Sequence, residues 1–201
     1  MKKVVGFTLS EVLITLVIIG IVAAITVPVF VANSNEQAVR SALRKNFSVI
    51  SQGLNRYYVD NGVHFATYDN DEVHEFFVKY FNIAQDCYTG QCNDEPVTYT
   101  NYGNKESTWM KYPVAQSLIL DDGSYITYNW NADGMPVFTV DVNGPYKKPN
   151  KLGKDTFAFT IKKQYNLGPY FDPPYDEYYC NPSRTSFGNG LGCTAKYLQY
   201  K

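Results

Sequence analysis

The chain has 201 residues, 18 Lys+Arg against 19 Asp+Glu, and a formal net charge of -1, with only 18% of positions charged. That even balance excludes a wholesale nucleic-acid binder, so nucleic acid is not expected as a partner, and the low charge content excludes an acidic disordered tail. With 18 Tyr and 12 Phe against 2 Trp, the composition suits short, half-buried strands better than a helical bundle.

The long apolar runs gather at the N-terminus, which reads as an appendage to one domain. Between Phe7 and Asn35 the only ionisable residue is Glu11, and residues 12–32 are 21 uncharged, mostly aliphatic positions. At about 1.5 Å per residue such a helix spans roughly 30 Å, the thickness of a bilayer core. Lys2 and Lys3 favour a cytoplasmic N-terminus, so the expected orientation is N-in, C-out. A removable secretory signal has a shorter apolar region followed by a small-residue cleavage site. Glu11 is the anomaly, because a carboxylate in the bilayer costs about 2.5–3.5 kcal/mol and calls for a partner. A cut between Gly6 and Phe7 would create an α-amino cation to meet it, in the same chain or a neighbour.

The run Gly6-Phe7-Thr8-Leu9-Ser10-Glu11, preceded by a short basic leader and followed by the apolar stretch, closely resembles the type III signal sequence of type IV pilins and type II secretion pseudopilins. The resemblance implies that a prepilin peptidase cuts after Gly6 and methylates Phe7, with Glu11 the fifth residue of the mature chain. Pro28 falls where many pilins carry a helix-kinking proline; lacking an N–H, it would bend or locally melt the helix. The implied organisation is a leader over 1–6, a transmembrane and polymerisation helix over 7–35 and an extracytoplasmic pilin-like head over 36–201. The implied partners are homologous pilin or pseudopilin subunits, the prepilin peptidase and a secretion or pilus assembly platform. The implied location is the inner membrane, single-pass, and then a periplasmic or cell-surface filament. Within the family a secretion pseudopilin competes with a type IV pilin acting in adhesion, motility or DNA uptake. Outside it stands a membrane-anchored binding domain that does not polymerise.

Past Ala32 the sequence turns amphipathic, with Val39, Leu43, Phe47, Ile50 and Leu54 at helical spacing, so the helix is expected to continue to about Asp60, where Asp60-Asn61-Gly62 gives a stop. Gly53 within this stripe reads as a site of close packing. A short helix is expected over 71–81 and a loose strand over 97–102. Then follow strands over 117–120, 125–130, 137–142 and 155–161, the first two joined by Asp121-Asp122-Gly123, a hairpin signal, and the next turn made by Asn131-Ala132-Asp133-Gly134. The expected fold class is α+β: a long N-terminal helix packed on the one apolar face of an antiparallel β-sheet, pilin-like, with the last forty residues an irregular loop.

Cys87, Cys92, Cys180 and Cys193 suit disulfides in an exported head, and sequence alone permits three pairings. Local pairing is preferred, Cys87 with Cys92 and Cys180 with Cys193, the latter resembling the disulfide-bounded C-terminal region of many pilins. A four-cysteine zinc site competes, but the second spacing does not look like half of one. Asp141, Asn143, Asn150 and Asp155 lie in a loop between two strands and could give a calcium ion oxygen ligands, as a loop of the major pseudopilins does; turn chemistry explains the same residues. Lys147, Lys148, Lys151, Lys154, Lys162 and Lys163 form a basic cluster in sequence that reads as a solvated face before it reads as a DNA contact. Tyr170, Tyr175, Tyr178 and Tyr179 suit either packing or a partner surface. His64 and His74 are the only histidines, and no Gly-x-Ser-x-Gly elbow or Walker loop occurs, so neither catalysis nor a required cofactor is expected.

Overall fold

The computed structural model describes residues 6–66, 69–88, 92, 95–112, 114, 116–131 and 134–199. Lys2 and Lys3 of the leader, residues 89–91 of the Cys87–Cys92 turn and Ala132 and Asp133 of the second expected turn lie outside the described residues. The chain divides into two compact units, Met1–Ala38 and Val39–Lys201. Helix α1 (Leu9–Asn61, 53 residues) supplies the described helix of the first and continues into the second. In the first unit it runs on through Pro28 without interruption, so the expected local melting is absent there; the missing N–H leaves only the Ala24 carbonyl without its usual donor.

The second unit is built on a six-stranded antiparallel sheet in the order β1 (Ile83–Asp86), β4 (Ser117–Leu120), β5 (Tyr125–Trp130), β6 (Pro136–Asp141), β7 (Thr156–Ile161), β8 (Leu167–Pro169). A separate pair, β2 (Val97–Thr100) and β3 (Glu106–Tyr112), accompanies it. From β4 to β8 the strands follow one another as a meander. The Asp121-Asp122-Gly123 turn closes β4 on β5 with Ile119 opposite Tyr125, and Gly123 takes φ +83°, a conformation that costs glycine little. Helix α2 (Asn70–Tyr80) starts on Asp69, whose side chain accepts from the Asp71 N–H at 2.9 Å.

Alternation along the strands sends neighbouring residues to opposite faces. Ile126 and Tyr128 of β5, Phe138 and Val140 of β6, and Phe157 and Phe159 of β7 face Leu43, Ile50 and Leu54 of α1 and Phe76 and Phe77 of α2. Burying each such side chain is worth about 1.5–3 kcal/mol. Gly53 lets α1 approach: a Cβ there would lie 2.5 Å from the Phe81 ring.

The opposite face is also buried, which corrects the expectation of one apolar face. Tyr125, Val137 and Ala158 pack there against Tyr99, Met110 and Tyr112 of the β2–β3 pair and against Leu152. This side mixes Tyr99, Tyr112 and Tyr125 with Met110, Val137 and Leu152. Its tyrosines bury their rings and satisfy their hydroxyls internally, Tyr125 donating to the Lys111 carbonyl at 2.8 Å and Tyr112 bonding the Tyr146 hydroxyl at 2.8 Å.

The last forty residues are more ordered than expected, with short helices α3 (Tyr175–Tyr178) and α4 (Cys193–Leu198). The disulfides join Cys87 to Cys92 and Cys180 to Cys193. Asn189 Nδ2 ties this segment by donating to the Asn181 carbonyl at 2.8 Å, and Tyr197 meets Phe157 with ring centroids 5.2 Å apart.

Candidate functional site

Gly6, Phe7 and Thr8 lie in non-helical backbone just ahead of α1. Nothing stands within 4 Å of where a Gly6 Cβ would be, and Phe7 is 89% exposed. The Gly6–Phe7 peptide bond therefore lies in exposed, non-helical chain immediately before the helix withdraws the backbone into its own hydrogen bonds. Thr8 caps the helix. Glu11, three residues on, reaches back so that its Oε2 accepts from the Thr8 N–H and the Thr8 hydroxyl, each at 2.8 Å, while the Glu11 N–H donates to Thr8 Oγ1 at 3.3 Å. This is a reciprocal capping box. It gives Glu11 a partner other than the expected cation, one that the Thr-x-x-Glu spacing announces. Beyond it, Leu9–Pro28 is 20 residues long and apolar enough to cross a membrane, with none of that stretch buried.

Residues 1–27 match the family model of the prokaryotic N-terminal methylation motif. This is the prepilin-type signal of the type IV pilins and pseudopilins. The match covers the N-terminal signal alone, and it supports reading the chain as pilin-like or pseudopilin-like, a family of structural subunits. No curated protein and no solved structure matches the chain.

In the second unit, Asp141 at the end of β6 and Asp155 at the entry to β7 are both fully buried. The backbone brings them together, since Asp141 is registered with Thr156 and the Val142 N–H donates to the Asp155 carbonyl at 2.9 Å. Asp141 accepts from the Tyr99 hydroxyl at 2.7 Å and from the Asn143 and Gly144 N–H groups at 3.2 and 3.1 Å. Asp155 accepts from the Asn150 and Lys151 N–H groups at 2.9 and 2.7 Å and from the Thr156 hydroxyl at 3.2 Å. Burial, reinforced by the charge of Asp155, pushes the Asp141 carboxyl up to about 7. Burial also raises Asp155, and it raises the Tyr99 hydroxyl so that this group stays a donor.

Asn150 Nδ2 donates to the Pro145 carbonyl at 2.7 Å. The Oδ1 atoms of Asn143 and Asn150 are buried with no hydrogen-bond partner among the described residues. Two buried carboxylates beside two orphaned amide oxygens fit a hard, oxygen-seeking cation. Among the described residues no three of His, Cys, Asp and Glu gather as a metal site, so the amide oxygens and backbone carbonyls would have to complete the shell. All four residues are visible in the sequence, whereas Tyr99, which reaches Asp141 from β2, carries no local signal.

The six lysines divide. Lys162 and Lys163 follow β7 at the far end of the sheet, where Lys162 pairs with Asp172 at 2.8 Å. Lys147, Lys148, Lys151 and Lys154 stay together on the loop between β6 and β7. Of the tyrosines, Tyr170 packs against Trp109 with centroids 5.6 Å apart, Tyr179 stacks on Phe171 at 4.0 Å, and the exposed Tyr178 lies under Arg184 at 3.8 Å. The side chain of Tyr175 lies outside the described residues. Both histidines sit in ring stacks: His64 between Tyr58 and Tyr165 at 4.3 and 4.7 Å, and His74 on Tyr88 at 4.1 Å.

Proposed function

We propose that this chain is a structural subunit of a type II secretion pseudopilus or type IV pilus-like filament. A prepilin peptidase cuts it after Gly6 and methylates Phe7, and it polymerises through its N-terminal helix without catalysing a reaction. The observation that carries the reading is the methylation motif over residues 1–27, set on a helix whose stretch Leu9–Pro28 is long and apolar enough to cross a membrane. Such a surface is stable in lipid, and leaving lipid requires an equivalent cover of neighbouring helices. Glu11 acts at that step. The new α-amino group of a neighbouring subunit takes over its carboxylate, removes a lone charge from the apolar lattice and sets the axial register. The N-terminus lies inside and residues 36–201 outside the inner membrane, in keeping with the basic leader. Between the two filament types, the Asp141-Val142-Asn143-Gly144 segment favours the pseudopilus.

The same loop favours a calcium ion held by Asp141, Asn143, Asn150 and Asp155. Its charge would offset the repulsion between two buried carboxylates and fasten the end of β6 to the start of β7. The polymerisation reading is tested by producing the full chain with a prepilin peptidase and an assembly platform and shearing filaments from the cells. Filaments containing the chain only when the peptidase is present are the expected result. A chain that stays in the membrane as monomers under both conditions would make it a plain anchored domain.

A further inference from the structure

The loop between β6 and β7 presents a basic surface. Lys147, Lys148 and Lys154 are exposed on it, and Lys151 and Lys154 hold their Nζ atoms over the same Tyr102 ring, each 5.6 Å from its centroid. The loop is fixed from beneath by the Asp155 contacts and by the bridge between Thr100 and Lys151. Among the described residues no carboxylate pairs with any of these four lysines.

The first turns of α2 carry the opposite charge. Asp71, Glu72 and Glu75 are exposed there, Asp71 accepting from the Tyr88 hydroxyl. The two surfaces cannot reach one another within one molecule, because the sheet lies between them. Helix α2 packs on one face through Phe77, whose ring lies 5.5 Å from Phe138, while the basic loop sends Leu152 into the core on the other face. In a two-fold dimer, loop would have to meet helix and helix meet loop within one interface, which patches on opposite faces of the sheet do not allow. They satisfy each other head to tail, and head-to-tail contacts that do not close generate open helical assemblies.

We propose that the basic β6–β7 loop of one subunit docks on the acidic start of α2 in a second copy of this chain, a contact between globular units that adds specificity to packing of the N-terminal helices. The inference rests on the filament reading proposed above.

The test uses the full chain in cells with the peptidase and assembly platform, scored by sheared-filament yield. One variant carries Lys147→Glu, Lys148→Glu and Lys154→Glu; a second carries Glu72→Lys and Glu75→Lys; a third carries all five. All five positions are exposed, and circular dichroism with thermal melting of the purified variants checks that the fold is kept. Each of the first two variants should lose filaments by roughly tenfold or more, and the third should regain them because the charges are exchanged on both sides. Wild-type yield from the first two variants would overturn the inference while leaving the filament reading intact. Loss without recovery in a folded five-site variant would also overturn it, pointing to a partner other than a second copy. Absence of wild-type filaments would sink the filament reading and this contact with it.

Discussion

Glu11 holds Thr8 from both sides of one residue, its Oε2 accepting from the Thr8 N–H and the Thr8 hydroxyl at 2.8 Å each. The contact aims the carboxylate toward the chain entering the helix, and so toward the position where cleavage would place the α-amino group of Phe7. Capping is observed and charge neutralisation is the role proposed for assembly, and the two separate chemically. Glutamine serves a capping box as glutamate does but carries no charge. Glu11→Gln should insert into the membrane normally and keep its helix start, yet lose most of its filament yield. Normal yield from this variant would leave Glu11 with capping alone.

Thr8→Val makes the converse test. It removes the hydroxyl that donates to Glu11 and accepts from its N–H, at a cost of about 1 kcal/mol to the helix start, but leaves the carboxylate free to meet a cation. Assembly should persist at more than half the wild-type yield in sheared fractions; a loss equal to that of Glu11→Gln would show that capping governs assembly.

The Asp141–Asp155 pair predicts how stability changes with pH. The Asp141 carboxyl sits at about 7 in the folded chain because of burial and of Asp155, far above the roughly 3.9 of an unfolded aspartate. The folded state therefore binds the proton more tightly. Its stabilising effect is complete below about pH 4 and is lost as pH rises through 7, by an amount on the order of a few kcal/mol. In chelator, Tm of the folded chain should fall between pH 5 and pH 8. Asp141→Asn should flatten that part of the curve, and millimolar calcium should restore the wild-type Tm at pH 8 if the loop holds the ion. A wild-type curve flat in chelator would contradict the buried-pair account, and no response to calcium would remove the ion.

Phe77 is the side chain by which α2 reaches the sheet, fully buried with its ring 5.5 Å from Phe138 and 4.9 Å from Phe81. Phe77→Ala should cost about 3–5 kcal/mol in urea unfolding of the folded chain. A loss below 1 kcal/mol would mean that α2 is not part of this core.

The N-terminal helix and the meander were legible because each rests on a long periodic signal: 21 uncharged residues over 12–32, the 3–4 spacing from Val39 to Leu54, and β-rich runs broken at Asp121-Asp122-Gly123. What escaped lacked such a signal. Strand β1 is four residues ending in Asp86, and β8 is Leu167-Gly168-Pro169, two of whose residues normally mark a turn. The second buried face was hidden because its packing groups are Tyr99, Tyr112 and Tyr125, whose polar ends find partners only after the β2–β3 pair is in place. At the candidate sites the residues of the prepilin signal are contiguous and were all visible. Most partners of Asp141 and Asp155 are local, from Asn143 and Gly144 to Asn150, Lys151 and Thr156, but only the fold brings Tyr99 to a residue 42 positions away.

Intact mass spectrometry of the membrane-extracted chain, produced with and without a prepilin peptidase and measured before and after reduction, tests the central claim most directly. The account predicts loss of residues 1–6 and gain of one methyl group only when the peptidase is present, with the hydrogens of the two disulfides appearing on reduction. Gly6→Val should abolish that shift. A full-length, unmethylated chain in the presence of an active peptidase would contradict the account and leave Leu9–Pro28 as a signal anchor.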